Sequence, residues 1–291
     1  MLTSFILVKI SNLNKNTVKN YISISKKIKN FKRIIKIDGD KSISIRSLIF
    51  ASLATGKSKI QNLLESEDVI NTIKCLKKLG VNIKKKERTY LVNGAGINKY
   101  KFRENLTLDA GNSGTLARLL FSTLVSSPYK IKLIGDQSLS KRDFARIINP
   151  LSDLGAKFFP KNRKKLPLMI QNCRKSKKNK FYELKGSAQV KSAIMIAGLQ
   201  FKTTTEIIAK KSRNHTENFF KFLKIPIKIK KTKSFDKIKI KGVDKFNSFN
   251  YTIPSDISSS LFFLALTILT KKSEITIKNV NINSTRTGAI K

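Results

Sequence analysis

Leu108-Asp109-Ala110-Gly111-Asn112-Ser113-Gly114-Thr115-Leu116-Ala117-Arg118-Leu119-Leu120 reads as a strand end, a turn of small residues and the start of an apolar helix. Gly111 and Gly114 let the backbone come close to a ligand. Asn112, Ser113 and Thr115 are N-cap candidates, and the free N–H groups of a helix start hold an anion. Arg118, one turn in, offers a bidentate contact to phosphate or carboxylate. Many purely structural helices begin this way. Recurrence is what gives the stretch its weight.

The same design returns at residues 42–46 ahead of the apolar run 47–54, at 187–191 ahead of 192–199, and at 255–258 ahead of 259–269. Ser42, Ser113, Ser187 and Ser258 lie 71, 74 and 71 residues apart. Each apolar helix is followed by a strand-like stretch (58–60, 131–134, 205–208, 274–277). In the first three copies a second helix then opens on a polar residue (67–79, 142–154, 214–223). Gly80, Gly155 and Pro226 stop these helices, and two alternating strands follow, as at 81–83 with 90–92. The result is a repeated βαβαββ-like unit of about seventy residues. The fourth copy starts at Ser255 and places its second helix at 285–288.

A chain of 291 residues that is 40% apolar, with 13 Gly and 6 Pro, is globular, and its length suggests about two domains. No apolar run nears the roughly twenty residues of a membrane span; the longest, 261–269, reads as a helix that needs a covering face and, without further repeats to cover it, is expected to be exposed and aggregation-prone. Cys75 and Cys173 match no metal or redox spacing, which fits ordinary thiols in a reducing, cytoplasmic setting. With His215 as the single histidine, a His-based metal site or Ser-His triad is excluded, and neither metal nor cofactor is expected. Residues 1–37 carry no acid, yet the short run 5–8 is no secretory core; an extension leading into a strand near 33–37 is expected.

The net charge of +42 invites a nucleic-acid reading. The excess, however, is lysine: of 60 basic residues 11 are Arg. Lys, Asn and Ile share A/T-rich codons, the Lys are spread along the whole chain, and no RNP-like aromatic box or zinc-finger spacing occurs. A solvated, codon-biased surface is the expectation, with no specific nucleic-acid partner and no membrane. Against that background a retained Arg signals a need for a planar donor. Arg46, Arg118, Arg142, Arg146, Arg213 and Arg286 all fall at or near helix starts of the repeats.

These residues carry a resemblance. Asp38-Gly-Asp-Lys-Ser-Ile-Ser-Ile-Arg46, the Asn112-Ser-Gly-Thr turn, Gly135-Asp-Gln-Ser-Leu-Ser-Lys-Arg-Asp143, Gly186-Ser-Ala-Gln-Val-Lys191, Arg213-Asn-His-Thr-Glu217, Ile253-Pro-Ser-Asp256 and Asn283-Ser-Thr-Arg-Thr-Gly288 resemble the successive signatures of the 5-enolpyruvylshikimate-3-phosphate (EPSP) synthases. They come in the family's order, from about Ser25 onward. The resemblance implies an α/β (α+β) fold: an inside-out α/β barrel of βαβαββ units, with one complete three-repeat domain and part of a second. The boundaries it implies are 1–39 and 253–291 for the split domain and 40–252 for the complete one.

It also implies a reaction, enolpyruvyl transfer from phosphoenolpyruvate to the 5-hydroxyl of shikimate 3-phosphate, through a doubly anionic tetrahedral intermediate that needs concentrated positive charge. By motif, Lys41 contacts phosphoenolpyruvate and shikimate 3-phosphate, while Ser42 and Arg46 bind shikimate 3-phosphate. Gly114 offers its N–H to phosphoenolpyruvate and Arg142 pairs with its phosphate or carboxylate. Ser187 and Ala188 hold the shikimate phosphate, Gln189 lies between the substrates, and Ser212 or Arg213 adds a shikimate-side contact. The segment 214–216 is expected to cap a helix.

Asp38, Ile45, Asp143 and Ile257 stand where the family usually shows Pro, His, Pro and Pro, and Asn214 where Asp is usual. A carboxylate at Asp143 is expected to weaken the neighbouring Arg142. The family's proton-moving carboxylates belong to repeats after 285–288. The expectation is therefore a chain inactive alone, a monomer unless completed by a separately encoded C-terminal portion. Two other classes stay open: a non-catalytic fragment that holds shikimate 3-phosphate, and a basic nucleic-acid binder.

Overall fold

Three helices buried along nearly their whole length form the core, and several small sheets accompany them. The computed structural model describes residues 9–10, 22–23, 28–171, 178–288 and 290. The readings at Cys173 and at 5–8 fall outside them. A short antiparallel pair, β1 (Lys9–Ile10) with β2 (Ile22–Ser23), precedes β3 (Lys32–Ile35). Then come α1 (Lys41–Leu53), β4 (Thr55–Gln61), α2 (Glu67–Lys78), β5 (Asn82–Lys86) and β6 (Thr89–Ala95). The second unit is β7 (Leu106–Asp109), α3 (Gly114–Thr123), β8 (Ile131–Ile134), the short α4 (Gln137–Ser140), α5 (Ala145–Asp153), β9 (Lys157–Phe159) and β10 (Leu168–Gln171). The third is β11 (Lys180–Glu183), α6 (Ala188–Gly198), β12 (Thr204–Lys210), α7 (His215–Phe222), β13 (Ile227–Lys231) and β14 (Phe235–Lys241). β15 (Asn250–Thr252), α8 (Ile257–Leu269) and β16 (Glu274–Ile277) follow.

Three four-stranded sheets share one topology: β7-β8-β10-β9, β11-β12-β14-β13 and β15-β4-β6-β5. In each, the first pair is parallel and the others antiparallel. The third sheet is not built from consecutive strands. Its first strand is β15, from the far end of the chain, while β3 pairs in parallel with β16 in a separate two-stranded sheet. The two strand exchanges cross at Gly39, where the Asp40 N–H donates to the Pro254 carbonyl (2.8 Å) and the Asp256 N–H to that of Asp38 (3.0 Å). A Cβ on Gly39 would sit 2.2 Å from the Asn62 carbonyl oxygen, so only glycine lets the crossing close.

α1, α3 and α6 form the core because little on them asks for water. Ile45, Leu48, Ile49, Phe50, Leu119, Leu120, Phe121, Ile194 and Ile196 are buried to within 1%. Buried hydroxyls bond back along their own helix, Ser47 to the Ser44 carbonyl, Ser52 to Ile49, Ser122 to Leu119 and Thr123 to Leu120, which leaves no orphan donor. Phe50 stacks on Phe219 (5.2 Å) and meets Phe220 edge-on (5.8 Å), joining α1 to α7.

Several boundaries differ from those expected. α1, α6 and α8 begin at 41, 188 and 257, so much of the polar lead-in belongs to the helix itself. The second helix of the second unit starts at Ala145, after the extra turn α4, so Arg142 lies between helices. No helix forms at 285–288; residues 284–286 make a turn. α8 is not buried: only Ile257 and Ser260 are enclosed. No helix among the described residues is long and apolar enough to cross a membrane.

Candidate functional site

The starts of α1, α3 and α6 come together at one end of the core. Each is capped from one position before the helix. Asp40 Oδ1 accepts from the Ile43 N–H (3.0 Å), Ser113 Oγ from Leu116 (3.2 Å) and Ser187 Oγ from Val190 (3.3 Å). Gln189 Nε2 donates to Thr115 Oγ1 (2.9 Å), tying α6 to α3. Lys41 Nζ lies 3.3 Å from Asp68 Oδ2 at the start of α2, and Ser42 beside it is half-buried.

At α3 two arginines converge on Gly114. A Cβ there would lie 2.6 Å from Arg118 Nη1 and 3.1 Å from Arg142 Nη1, so the missing side chain is what admits both guanidinium groups. Arg118 donates to the Gly114 carbonyl (3.1 Å) and lies over the Phe144 ring (5.1 Å). Burial lowers its pKa, as do the cations of Arg142 and Arg146. Arg142 Nη2 donates to Asn112 Oδ1 (3.0 Å), whose amide donates to Asp136 Oδ2 (2.6 Å). Asp143 does not engage Arg142 in a hydrogen bond or ion pair: its Oδ1 accepts the Ala145 N–H at 2.7 Å, at the start of α5. Its charge still reaches the neighbouring Arg118, whose pKa it raises against the burial and the other cations.

Arg46 is placed differently from the other cations, buried at 3% exposure. Its Nε donates to Thr216 Oγ1 (2.9 Å), Nη2 to Ser192 Oγ (3.1 Å) and Nη1 to the Ser42 carbonyl (3.0 Å). Thr216 in turn donates to Ser192 (2.7 Å). One N–H on each terminal nitrogen stays uncommitted among the described residues. Burial pulls the guanidinium down to about 10, against the pull of Glu217 and Asp40. Beneath it Lys191 and Glu217 form a fully buried pair at 2.5 Å.

Ser187, Ala188, Gln189 and Arg213 line a cavity of about 690 Å³ with Ser212 and Thr285. The Ser212 hydroxyl is buried there without a partner among the described residues. Asn214 precedes α7, but its side chain makes no capping bond; Oδ1 instead accepts from Asn283 Nδ2 (2.7 Å) and Thr285 Oγ1 (3.3 Å), which draws 283–285 over the cavity rim. Of the nine residues singled out from sequence, four line this cavity, Gly114 and Arg142 face each other at α3, Lys41 and Ser42 stand at the start of α1, and Arg46 lies below them.

Sequence reasoning missed Glu183, whose buried carboxylate accepts the Ser187 N–H (2.7 Å) and pairs with Arg146 (2.9 Å). The available signal was an acid four residues before a capping serine. It also missed the Asp136–Asn112–Arg142 chain, in which Asn112 was read only as a cap.

Repeated βαβαββ units with their capped helix starts gathered on one core define a class of mixed α/β proteins. Residues 25–291 match the EPSP synthase (3-phosphoshikimate 1-carboxyvinyltransferase) family, and the chain belongs to it. It is 40% identical over 258 residues to the 3-phosphoshikimate 1-carboxyvinyltransferase of Streptococcus mutans, covering 88% of this chain and 59% of that protein. The enzyme of the same name from Ruthia magnifica is 40% identical over 257 residues, with 88% and 58% covered. A 2.37 Å structure of EPSP synthase from Acinetobacter baumannii superposes with a TM-score of 0.81 at 34% identity, over 90% of this chain and 58% of that one. The chain thus spans about three-fifths of the length of these relatives.

Proposed function

We propose that this chain provides the shikimate 3-phosphate side, and part of the phosphoenolpyruvate side, of enolpyruvyl transfer to the 5-hydroxyl of shikimate 3-phosphate, which yields EPSP and phosphate. The carrying observation is the gathering of three capped helix starts, with Gln189 bonded to Thr115 between two of them. In this reading Ser187, Ala188, Gln189 and Arg213 hold shikimate 3-phosphate in the cavity they line, with Ser42 and Arg46 beside it. Lys41, Gly114 and Arg142 face phosphoenolpyruvate. These groups bind and neutralise; none of them moves the proton at the methylene carbon, which needs a positioned acid and a base. Asp143 Oδ1 accepts from the Ala145 N–H, and Asp256 Oδ1 from the Ser258 N–H and Arg286; neither residue matches a proton-transfer position of the family's motifs. The residues so assigned account for binding and charge neutralisation, and turnover needs that acid and base in addition.

The same reading divides the chain at 40–252, an inside-out barrel domain of three repeats, flanked by 1–39 and 253–291 as parts of a second. Support comes from the three sheets of like topology, all drawn from residues 55–252, and from β3 and β16, which pair with each other instead.

Titration calorimetry with shikimate 3-phosphate tests the site. Lys41→Ala or Arg46→Ala should each weaken binding by about 1.5–3 kcal/mol, the range of a charge-assisted hydrogen bond. Unchanged affinity in both variants removes the assignment. If nucleic acid were the partner, affinity would fall steeply with salt and ignore both substitutions.

A further inference from the structure

The turn at the start of α6 is held from below by a carboxylate from another strand end. Glu183 closes β11 and is 3% exposed. One of its oxygens accepts the Ser187 N–H at 2.7 Å; the other meets Arg146 Nη2 at 2.9 Å. Arg146 belongs to α5 of the preceding repeat, so the contact fastens one unit to the next. The Ser187 N–H is thereby committed to the protein. Its hydroxyl caps Val190, and its carbonyl accepts from Lys191. What remains for a ligand is the pair of N–H groups of Ala188 and Gln189, which take no acceptor among the described residues and belong to residues lining the cavity.

From this geometry we infer that Glu183 and Arg146 are positioning residues for the shikimate 3-phosphate phosphate group, an inference that rests on the function proposed above. Glu183 sets the direction of the Ala188 and Gln189 N–H groups by fixing Ser187. A carboxylate behind an anion site would repel the ligand, and Arg146 cancels that charge. The two side chains work only together. Losing Arg146 leaves a buried negative charge behind the phosphate; losing Glu183 frees the turn that aims the donors.

Two measurements separate this inference from the reading it rests on. In the ligand-free 291-residue chain, Glu183→Ala should strip hydrogen-exchange protection from the Ser187 amide, and Arg146→Ala should leave it in place. Wild-type protection in Glu183→Ala would overturn the positioning role, whether or not any ligand binds. By calorimetry, Arg146→Ala should weaken shikimate 3-phosphate binding about tenfold, the effect of one unpaired like charge near the ligand, and Arg146→Lys should restore most of it. A purely structural role would lower thermal stability in both variants and leave affinity alone, which would also overturn the proposal. If the wild-type chain does not bind shikimate 3-phosphate, the proposed function falls, and the exchange measurement still decides the role of Glu183 in the turn.

Discussion

α1 and α8 are each thirteen residues long, each begins after an aspartate N-cap, and each mixes serines with an apolar run. Eleven residues of α1 are buried and two of α8. Phe262, Ile268 and Leu269 on α8 are 80%, 83% and 84% exposed, and Ile34 on neighbouring β3 is 67% exposed. An apolar pattern around a whole helix states that the helix must be enclosed. It does not state by what. α1 is enclosed by α2, α3, α7 and its own sheet, whereas α8 packs mainly on β16. The contrast separates residues that form a finished core from residues whose apolar surface is still open to a partner.

The largest effect that sharpens this contrast is in the core of α1. Phe50→Ala should cost about 3–5 kcal/mol in urea unfolding, through the cavity it leaves. Phe262→Ser on α8 should change stability by less than about 0.5 kcal/mol while reducing self-association in light scattering. A loss for Phe262→Ser comparable to that for Phe50→Ala would mean α8 is covered in solution, and the comparison would break.

Next in size is the tie between the two regions. Arg286 pairs with Asp40 (2.9 Å), the cap of α1, and with Asp256 (3.2 Å), the cap of α8, and it also donates to Ser258. Asp40 is fully buried and also accepts from Asn281 (3.2 Å). Arg286→Ala should cost about 3 kcal/mol, because it strands a buried carboxylate. Limited proteolysis should then cut the segment after β15 before the rest. Equal cleavage in wild type and variant would show that other contacts hold the two regions together.

Much of this was legible in the sequence, because the spacing of Ser42, Ser113, Ser187 and Ser258 is periodic and each helix body is apolar. Strands 131–134 and 274–277 were read at their observed limits. That 1–39 and 253–291 go together was legible through the resemblance, and β3 does pair with β16; which strand completes the sheet of β4 was not. The crossing at Gly39 gives that place to β15. Helix starts were read late because Asp40, Ser187 and Asp256 cap their helices ahead of polar residues that look like loop. In the candidate site, small residues and arginines stood out by composition. Glu183, Asp136 and Thr216 did not, since their significance lies in which atom they hold, and that is set by contacts between repeats.

A pH-dependent effect probes the seam between the two regions. His215 lines a cavity of about 370 Å³ with Ile43 at the start of α1 and with Asn281 and Asn283 beyond α8. Its ring is 4% exposed, and burial, then the cations of Arg46, Arg286 and Arg213, push its pKa down to about 3, with Asp256 opposing. Between that value and the ordinary value near 6.5 the unfolded chain binds a proton that the folded chain refuses, so stability must fall as pH drops through this window and is fully present above it. The slope contributed by one such group is at most about 1.4 kcal/mol per pH unit. Asp136 and Glu65 are held below their ordinary values and so add little to that fall between pH 6.5 and 5. Urea midpoints over that interval should decline for the wild type and stay nearly level for His215→Gln. A decline of equal steepness in the variant would mean that the seam is wetter than the packing of Ile43, Asn281 and Asn283 implies. The region beyond β15 would then have to be regarded as loosely attached to the core, in line with the open face of α8.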